Sequence, residues 1–180
     1  MTQKKNMHST KNNNIKLPIP LKNIRRSNDP IGDMITRIRN GYVRMFDSVI
    51  VPKSNKIRSV LDVLIRSGYI SHYEDFEAST KQNSSKNLMQ VILNRSQDTG
   101  YLNVFLKYHN SSPALQNIQR ISSPGKRVYF SKNKIKKYAK LQNWGLTKTL
   151  ILSTSKGVFT HQEVLKLDNS MGGESLCFIW

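Results

Sequence analysis

Segment 153–160 carries a dense set of side chains that could bind a polar ligand. Its sequence is Ser153-Thr154-Ser155-Lys156-Gly157-Val158-Phe159-Thr160, and it follows the apolar run Leu150-Ile151-Leu152. Such a run predicts a buried strand, and glycine allows a tight turn after it. Hydroxyl and ammonium groups are compact hydrogen-bond donors. The pattern therefore predicts a turn whose donors can approach the bases or phosphates of a nucleic acid.

Two other interpretations of this segment stay open at this point. Clusters of Ser, Thr and Gly often form plain turns that bind nothing. The spacing Ser153-x-x-Lys156 also matches the nucleophile motif of serine acylases. That motif requires its serine at the start of a helix and a partner Lys-Thr-Gly sequence, which this chain lacks. Catalysis by this segment is therefore not expected.

Other catalytic or metal-binding patterns are also missing from the sequence. The histidines stand far apart without a recognisable ligand or triad pattern, so we expect each to lie at the surface. No phosphate-binding or dinucleotide-binding glycine motif is present. We therefore expect no metal, no cofactor and no enzymatic activity. The four histidines are His8, His72, His109 and His161.

The charge of the chain favours a polyanionic partner. The 180 residues contain 29 Lys and Arg against 11 Asp and Glu, giving a net charge of +18. Such a surplus suits RNA, DNA or an anionic membrane surface. No stretch approaches the roughly 20 apolar residues that span a bilayer. The single cysteine, Cys177, lies in an apolar strand pattern and is expected to be a buried thiol.

The basic residues are concentrated in two segments. Residues 1–28 contain seven basic and no acidic side chains, and eleven basic but no acidic residues lie between Asp98 and Glu163. Segments of one sign are unusual on a solvated surface, where charges normally alternate. We read residues 1–28 as a disordered basic arm, with a mitochondrial presequence as the alternative.

The N-terminal part of the sequence predicts two helices with basic surfaces. The first has Asp29 as N-cap, Pro30 in its first turn and Gly41 as its end. Its apolar stripe leaves Arg37 and Asn40 on the opposite side and Arg39 on the flank, where they could meet a phosphate backbone. Solvated arginines are the alternative. The stripe consists of Ile31, Met34, Ile35 and Ile38.

The second helix follows a short strand at 48–51. Ser54 is its predicted N-cap and Gly68 ends it. Lys53, Lys56 and Arg58 cluster at its start, where free backbone amides already favour anions, so this end is a candidate phosphate clamp. Further strands are predicted at 69–76, 88–93 and 102–106.

The C-terminal part predicts a mostly β structure. A strand at 118–122 turns at Ser123-Pro124-Gly125 and returns through 127–130, where alternation places Arg127 and Tyr129 on one face. Arginine and tyrosine together suit RNA, because tyrosine can stack on a base; a tyrosine packed within the protein is the alternative. A basic helix at 132–140 and a helix at 161–167 follow, the latter with a Thr160/Glu163 capping box.

These elements predict an α+β fold with two small domains. The N-terminal domain has the order α-β-α-β-β, and the C-terminal domain is mostly β with a short helix. The predicted divisions are an arm at 1–28, an N-terminal domain at 29–110 with an extended hairpin insertion at about 77–101, and a C-terminal RNA-binding domain at 114–180.

Four sequence blocks, in this order, resemble the universal small-subunit ribosomal protein family conventionally numbered eight. The blocks are Asp29-Pro30-Ile31-Gly32-Asp33-Met34-Ile35-Thr36-Arg37-Ile38-Arg39-Asn40-Gly41, Ile118-Gln119-Arg120-Ile121-Ser122-Ser123-Pro124-Gly125-Lys126-Arg127-Val128-Tyr129, the hydroxyl segment described above, and Gly172-Gly173-Glu174-Ser175-Leu176-Cys177-Phe178-Ile179-Trp180. The resemblance implies a structural protein that binds the central domain of small-subunit rRNA and nucleates assembly.

The resemblance also implies which residues contact RNA. In the C-terminal domain they are Ser153, Thr154, Ser155, Lys156, Gly157, Arg127, Tyr129 and Glu174. In the N-terminal domain they are Arg37, Arg39, Asn40, Ser54 and Lys56. An acidic residue such as Glu174 would orient nearby side chains or accept from a base amino group, since phosphate would repel it.

The implied partners are small-subunit rRNA and neighbouring small-subunit ribosomal proteins, especially the family numbered five, with no membrane and no homo-oligomer. The Asn-, Lys- and Ile-rich composition indicates an AT-rich genome, and the arm favours an organelle. We therefore expect a mitochondrion, with a plastid or the bacterial cytoplasm as alternatives. The alternative function is a DNA-binding or nucleoid-associated protein, which should show a basic recognition helix.

Overall fold

The computed structural model describes residues 27–76, 100–146, 148–167 and 172–180, which contain four helices and ten strands. The predicted strand at 88–93 lies outside the described residues, as do residues 1–26 of the predicted arm and 77–99 of the predicted insertion.

The first five elements follow the predicted order α-β-α-β-β. Strand β3 lies between β1 and β2, antiparallel to both. The predicted stripe on the first helix and the apolar residues of the second helix are buried against this sheet. The elements are α1 (Pro30–Val43), β1 (Ser48–Pro52), α2 (Asn55–Arg66), β2 (Ile70–Phe76) and β3 (Tyr101–Leu106).

Helix α1 continues past Gly41, so the predicted end at this glycine is wrong. Gly41 is buried, and a Cβ at this position would lie 2.5 Å from Val49 Cγ1 and 2.9 Å from Leu106 Cδ1. The glycine thus allows the helix to pack closely on the sheet. Gly68, in contrast, has a φ of +76° just beyond α2 and ends that helix as predicted.

The predicted N-caps of α1 and α2 differ in their chemistry. The Ser54 hydroxyl accepts a hydrogen bond from the Ile57 amide at 3.2 Å, which confirms its capping role. Asp29 occupies the N-cap position of α1, but its side chain makes no capping hydrogen bond. Its carboxylate instead pairs with Arg120 at 3.2 Å. The start of α1 is therefore tied to the C-terminal part of the chain.

The remaining elements build a mostly antiparallel β structure. Strands β4 and β5 pair with each other, and the larger sheet has the order β6-β10-β8-β9, with β7 also paired to β10. The predicted α+β class is confirmed. The elements are β4 (Tyr108–His109), β5 (Ser112–Pro113), β6 (Ile118–Arg120), β7 (Tyr129–Phe130), α3 (Lys132–Leu141), β8 (Thr149–Thr154), β9 (Gly157–Thr160), α4 (His161–Lys166) and β10 (Gly173–Ile179).

Side chains along a strand project alternately to the two faces of a sheet. The larger sheet therefore has two apolar faces, and both are covered. On β8, Ile151 joins the core cluster that contains the apolar residues of α1 and α2. Its neighbours Leu150 and Leu152 join a second cluster with Ile135 of α3 and Val164 of α4. Helices α3 and α4 therefore pack on the face opposite α1 and α2.

His161 is buried rather than at the surface, so the surface prediction for this histidine is wrong. It begins α4 with 1% exposure, and its Nδ1 accepts from the Leu150 amide at 3.1 Å. Burial lowers the pKa of His161, against the opposing effect of hydrogen bonds with the Trp144 and Leu150 backbone. The capping box between Thr160 and Glu163 is formed as predicted.

Cys177 is buried in β10, as predicted. It is free, and burial raises the pKa of its thiol to about 12, so it is a neutral core residue at physiological pH.

Candidate nucleic-acid interface

The hydroxyl segment forms a β-hairpin whose tip is Ser155-Lys156. Thr154 at the end of β8 pairs with Gly157 at the start of β9. The Thr154 hydroxyl donates to the Gly157 carbonyl at 2.9 Å and accepts from the Lys156 amide at 3.2 Å. Thr154 therefore stabilises the turn, while Ser155 and Lys156 are exposed at its tip.

Three of the predicted residues lie in one row across the sheet. Glu174 on β10 pairs with Tyr129 on β7 at one edge and with Ser153 on β8 at the other. Directly paired residues project from the same face, and adjacent strands lie about 5 Å apart. We call Tyr129, Glu174 and Ser153 the polar row. Tyr129 is 64% exposed, so the interpretation of this tyrosine as a packed residue is not supported.

Glu174 holds Arg127 beside this row. Arg127 Nη1 lies 2.6 Å from Glu174 Oε1, and the Ser122 hydroxyl donates to the same oxygen. Burial acts to raise the pKa of Glu174, but the Ser122 hydrogen bond and the Arg127 guanidinium outweigh it and keep the pKa below its usual value. Glu174 is thus ionised at neutral pH and orients the Arg127 guanidinium. The hydrogen bond with Glu174 in turn raises the pKa of Arg127.

Ser122 and Ser175 support this ion pair, although neither was predicted as a site residue from the sequence. Both are fully buried. Besides donating to Glu174, Ser122 Oγ accepts from the Val128 amide at 3.4 Å, and Ser175 Oγ donates to the Val128 carbonyl at 2.9 Å. They therefore fix the backbone that carries Arg127 and Tyr129. The available signal in the sequence was that both serines lie within apolar strand patterns.

Arg120 is a third supporting residue that was not predicted from the sequence. Its guanidinium contacts the Asp29 carboxylate at 3.2 Å and donates to the Leu176 carbonyl at 3.0 Å. Arg120 thus connects the start of α1 to the strand that carries Glu174. The signal for this pairing is long-range and is not visible in local spacing.

The predicted arginines of α1 have partners within the protein. Arg37 Nε bonds Asp33 Oδ2 at 2.9 Å, and Arg37 Nη1 lies 3.4 Å from the Ile50 carbonyl. Arg39 donates to the Ile118 carbonyl, with Nε at 3.1 Å. Arg37 and Arg39 are partly buried, and the Arg37 side chain is only 13% exposed, whereas Asn40 is exposed. These residues lie on a different element from the strands that form the polar row.

The basic cluster at the start of α2 is partly neutralised. Asp75 pairs with Lys53 at 2.9 Å and with Arg58 at 2.8 Å. Hydrogen bonds from Lys53 and then Arg58 lower the pKa of Asp75. Lys56 is exposed, and the Ser54 hydroxyl is engaged in capping. Lys56 is therefore the most available cation of this cluster.

Within the described ranges, no group of three or more His, Cys, Asp and Glu side chains could hold a metal ion. No helix in the described part of the chain is long and apolar enough to cross a membrane.

Comparison with known proteins identifies the family. The family model for ribosomal protein S8 matches residues 29–180. The small ribosomal subunit protein uS8 of Dictyoglomus thermophilum is 37% identical over 152 residues, covering 84% of this chain and 97% of the relative. The uS8 protein of Anaplasma marginale strain Florida is 40% identical with the same coverage.

A third uS8 relative, from Kosmotoga olearia, is 35% identical over 156 residues, covering 84% of this chain and 98% of the relative. The chain therefore belongs to the ribosomal protein S8 family and is an rRNA-binding structural constituent of the small ribosomal subunit, not an enzyme.

Proposed function

We propose that this chain binds the central domain of small-subunit rRNA through the polar row and the neighbouring hairpin tip, and that this binding nucleates subunit assembly. The observation that carries the proposal is the Glu174–Arg127 ion pair beside the exposed Tyr129. It presents an oriented guanidinium and an open aromatic face side by side. RNA recognition uses such pairs, because aromatic rings stack on unpaired bases while arginine contacts phosphates or stacks in turn.

The other C-terminal residues have complementary roles in this proposal. Ser155 and Lys156 reach bases and sugars from the hairpin tip, and Gly157 permits close approach of the RNA backbone. Thr154 holds the tip in shape, and Ser153 completes the polar row. Arg127 neutralises the charge of Glu174, so this carboxylate does not repel nearby phosphates.

The N-terminal residues hold the backbone of neighbouring RNA helices in this proposal. Asn40 and Lys56 are exposed and can donate to phosphates. Ser54 fixes the start of α2, whose free amides favour anions. Arg37 and Arg39 use only part of their five N–H donors on internal acceptors, so each can still add a contact to RNA.

We further propose that the chain works in the mitochondrial small subunit, next to the ribosomal protein family numbered five. The basic, Asn- and Lys-rich residues 1–28, which precede the family match beginning at residue 29, support an organellar location. In this proposal the division into residues 29–110 and 114–180 separates backbone contacts from recognition of the central domain.

The binding proposal is tested with the Thr154→Ala and Ser155→Ala double variant and a central-domain rRNA fragment. Loss of polar base contacts should weaken binding by about 1 to 3 kcal/mol while the slope of affinity against salt stays nearly unchanged, because hydroxyls carry no charge. Because Thr154 also stabilises the turn, the Ser155→Ala single variant separates recognition from turn shape.

The matched control is Ser112→Ala, which removes an exposed hydroxyl from β5, outside the polar row. If the double variant binds the fragment as tightly as the wild-type chain, the hairpin tip is only a turn.

The location is tested by importing the full chain into isolated mitochondria, where protease-protected protein is expected. Uptake by chloroplasts alone would contradict it.

A further inference from the structure

We propose that helix α3 carries a second RNA-binding surface, which binds the phosphate backbone of a duplex segment different from the one contacted by the polar row. We call this surface the lysine face, and it consists of Asn133, Lys136, Lys137 and Lys140. The inference rests on the proposed rRNA binding and adds a second contact to it.

The charge of α3 is the first observation. The ten residues of this helix contain Lys132, Lys134, Lys136, Lys137 and Lys140 and no acidic residue. Two of these lysines have internal contacts. Lys132 Nζ donates to the Leu167 carbonyl, and Lys134 Nζ lies 4.6 Å from the centroid of the Phe130 ring. Three lysines remain for a partner.

These three lysines are exposed on the outer side of the helix. Ile135 is fully buried and marks the inner side. At about 100° per residue, Asn133, Lys136, Lys137 and Lys140 occupy an arc of about 100° centred roughly opposite Ile135. Across the described ranges, no ion pair joins a carboxylate to any of the three ammonium groups.

The like charges of the lysine face destabilise α3 when no partner is bound. Lys136 and Lys140 are four residues apart and Lys137 and Lys140 three apart, so their like charges repel. The helix is nevertheless well held, because Ser131 caps it by accepting from the Lys134 amide and Ile135 anchors it in the core. A rigid cationic face without counter-charges fits a regular array of phosphates, which α3 would meet without rearranging.

The position of α3 separates the lysine face from the polar row. Along β7, Tyr129 belongs to the polar row, whereas Phe130 points to the opposite face and packs into the cluster with Ile135. Because α3 covers that opposite face, its outer side points away from the polar row. A straight duplex lying against the polar row therefore does not reach the lysine face. Duplex RNA on the lysine face must be another segment.

The test uses the full chain saturated with the central-domain rRNA fragment and a labelled RNA duplex of 20 base pairs and unrelated sequence. Wild-type protein should bind this duplex with a salt-dependent affinity. In the triple variant Lys136→Gln, Lys137→Gln, Lys140→Gln, the fall of log affinity with log salt should become less steep by about 2.7, since each phosphate contact contributes about 0.9 to the slope. The matched triple variant with arginine keeps the charge and should retain the wild-type slope.

The outcomes separate this inference from the proposed function. Affinity for the central-domain fragment should be the same in all three proteins, because the polar row is untouched. If the glutamine variant keeps the wild-type slope for the duplex, or if the saturating fragment displaces the duplex from wild-type protein, the second site does not exist. If the saturated wild-type chain binds no duplex, the lysine face serves another partner, such as an acidic protein, and the inference is wrong. Loss of selective fragment binding in every protein would instead refute the proposed function.

Discussion

Replacing Tyr129 with alanine should weaken RNA binding while the protein stays folded. An aromatic side chain can bury about 200 Å², and Tyr129 is 64% exposed. Folding therefore hides about 70 Å² of it, worth at most about 1.8 kcal/mol at about 25 cal/mol per Å². A domain with a stability of about 5 to 15 kcal/mol stays folded after this loss. Loss of a stacked base should cost a further 1 to 3 kcal/mol, roughly, in binding.

The assay is binding of the central-domain rRNA fragment to protein whose folded fraction is measured in parallel by urea unfolding. Tyr129→Phe keeps the ring and separates stacking from hydrogen bonding by the hydroxyl. Tyr138→Ala is the matched control, because Tyr138 is a partly exposed tyrosine that stacks on Phe130 on the opposite face of the sheet. If Tyr129→Ala lowers the unfolding midpoint but leaves the affinity of the folded protein intact, Tyr129 is a packing residue and the polar row is wrongly assigned.

Three further predictions concern the arm, the helix packing and the buried histidine. Deleting residues 1–28 should leave the urea midpoint unchanged and reduce only the salt-sensitive part of RNA affinity; failure to fold would mean that these residues belong to the core. Gly41→Ala should destabilise the protein by about 1 to 3 kcal/mol through overpacking, measured by urea unfolding against Gly125→Ala, whose Cβ would meet nothing within 4 Å. Burial lowers the pKa of His161 in the folded protein, so as the pH falls this histidine is protonated in the unfolded chain before it is protonated in the folded one. The free energy of unfolding should therefore decrease as the pH drops below about 6.5. His161→Gln should flatten this dependence, and an unchanged pH profile would contradict it.

Local patterns predicted the elements of this fold well. The Ser54 cap, the Gly68 end and the Thr160/Glu163 capping box each depend on residues three or four apart, or on one backbone conformation. The role of Gly41 in α1 was not predicted because it depends on close packing against Val49 of β1 and Leu106 of β3. The burial of His161 was not predicted because it depends on packing against Trp144 and on a hydrogen bond from the Leu150 amide, neither of which is visible in local spacing.

The candidate site shows the same division between local and long-range information. Alternation places Tyr129 on a face, but nothing in the sequence shows that β10 lies between β7 and β8. That strand order brings Glu174 between Tyr129 and Ser153, which are 24 residues apart in sequence. The carboxylate of Glu174 accordingly serves the protein, since it receives Ser122 and Arg127 and stays ionised. In the proposed RNA-binding surface, Glu174 therefore needs no contact to phosphate, because it holds Arg127, whose side chain is 44% exposed.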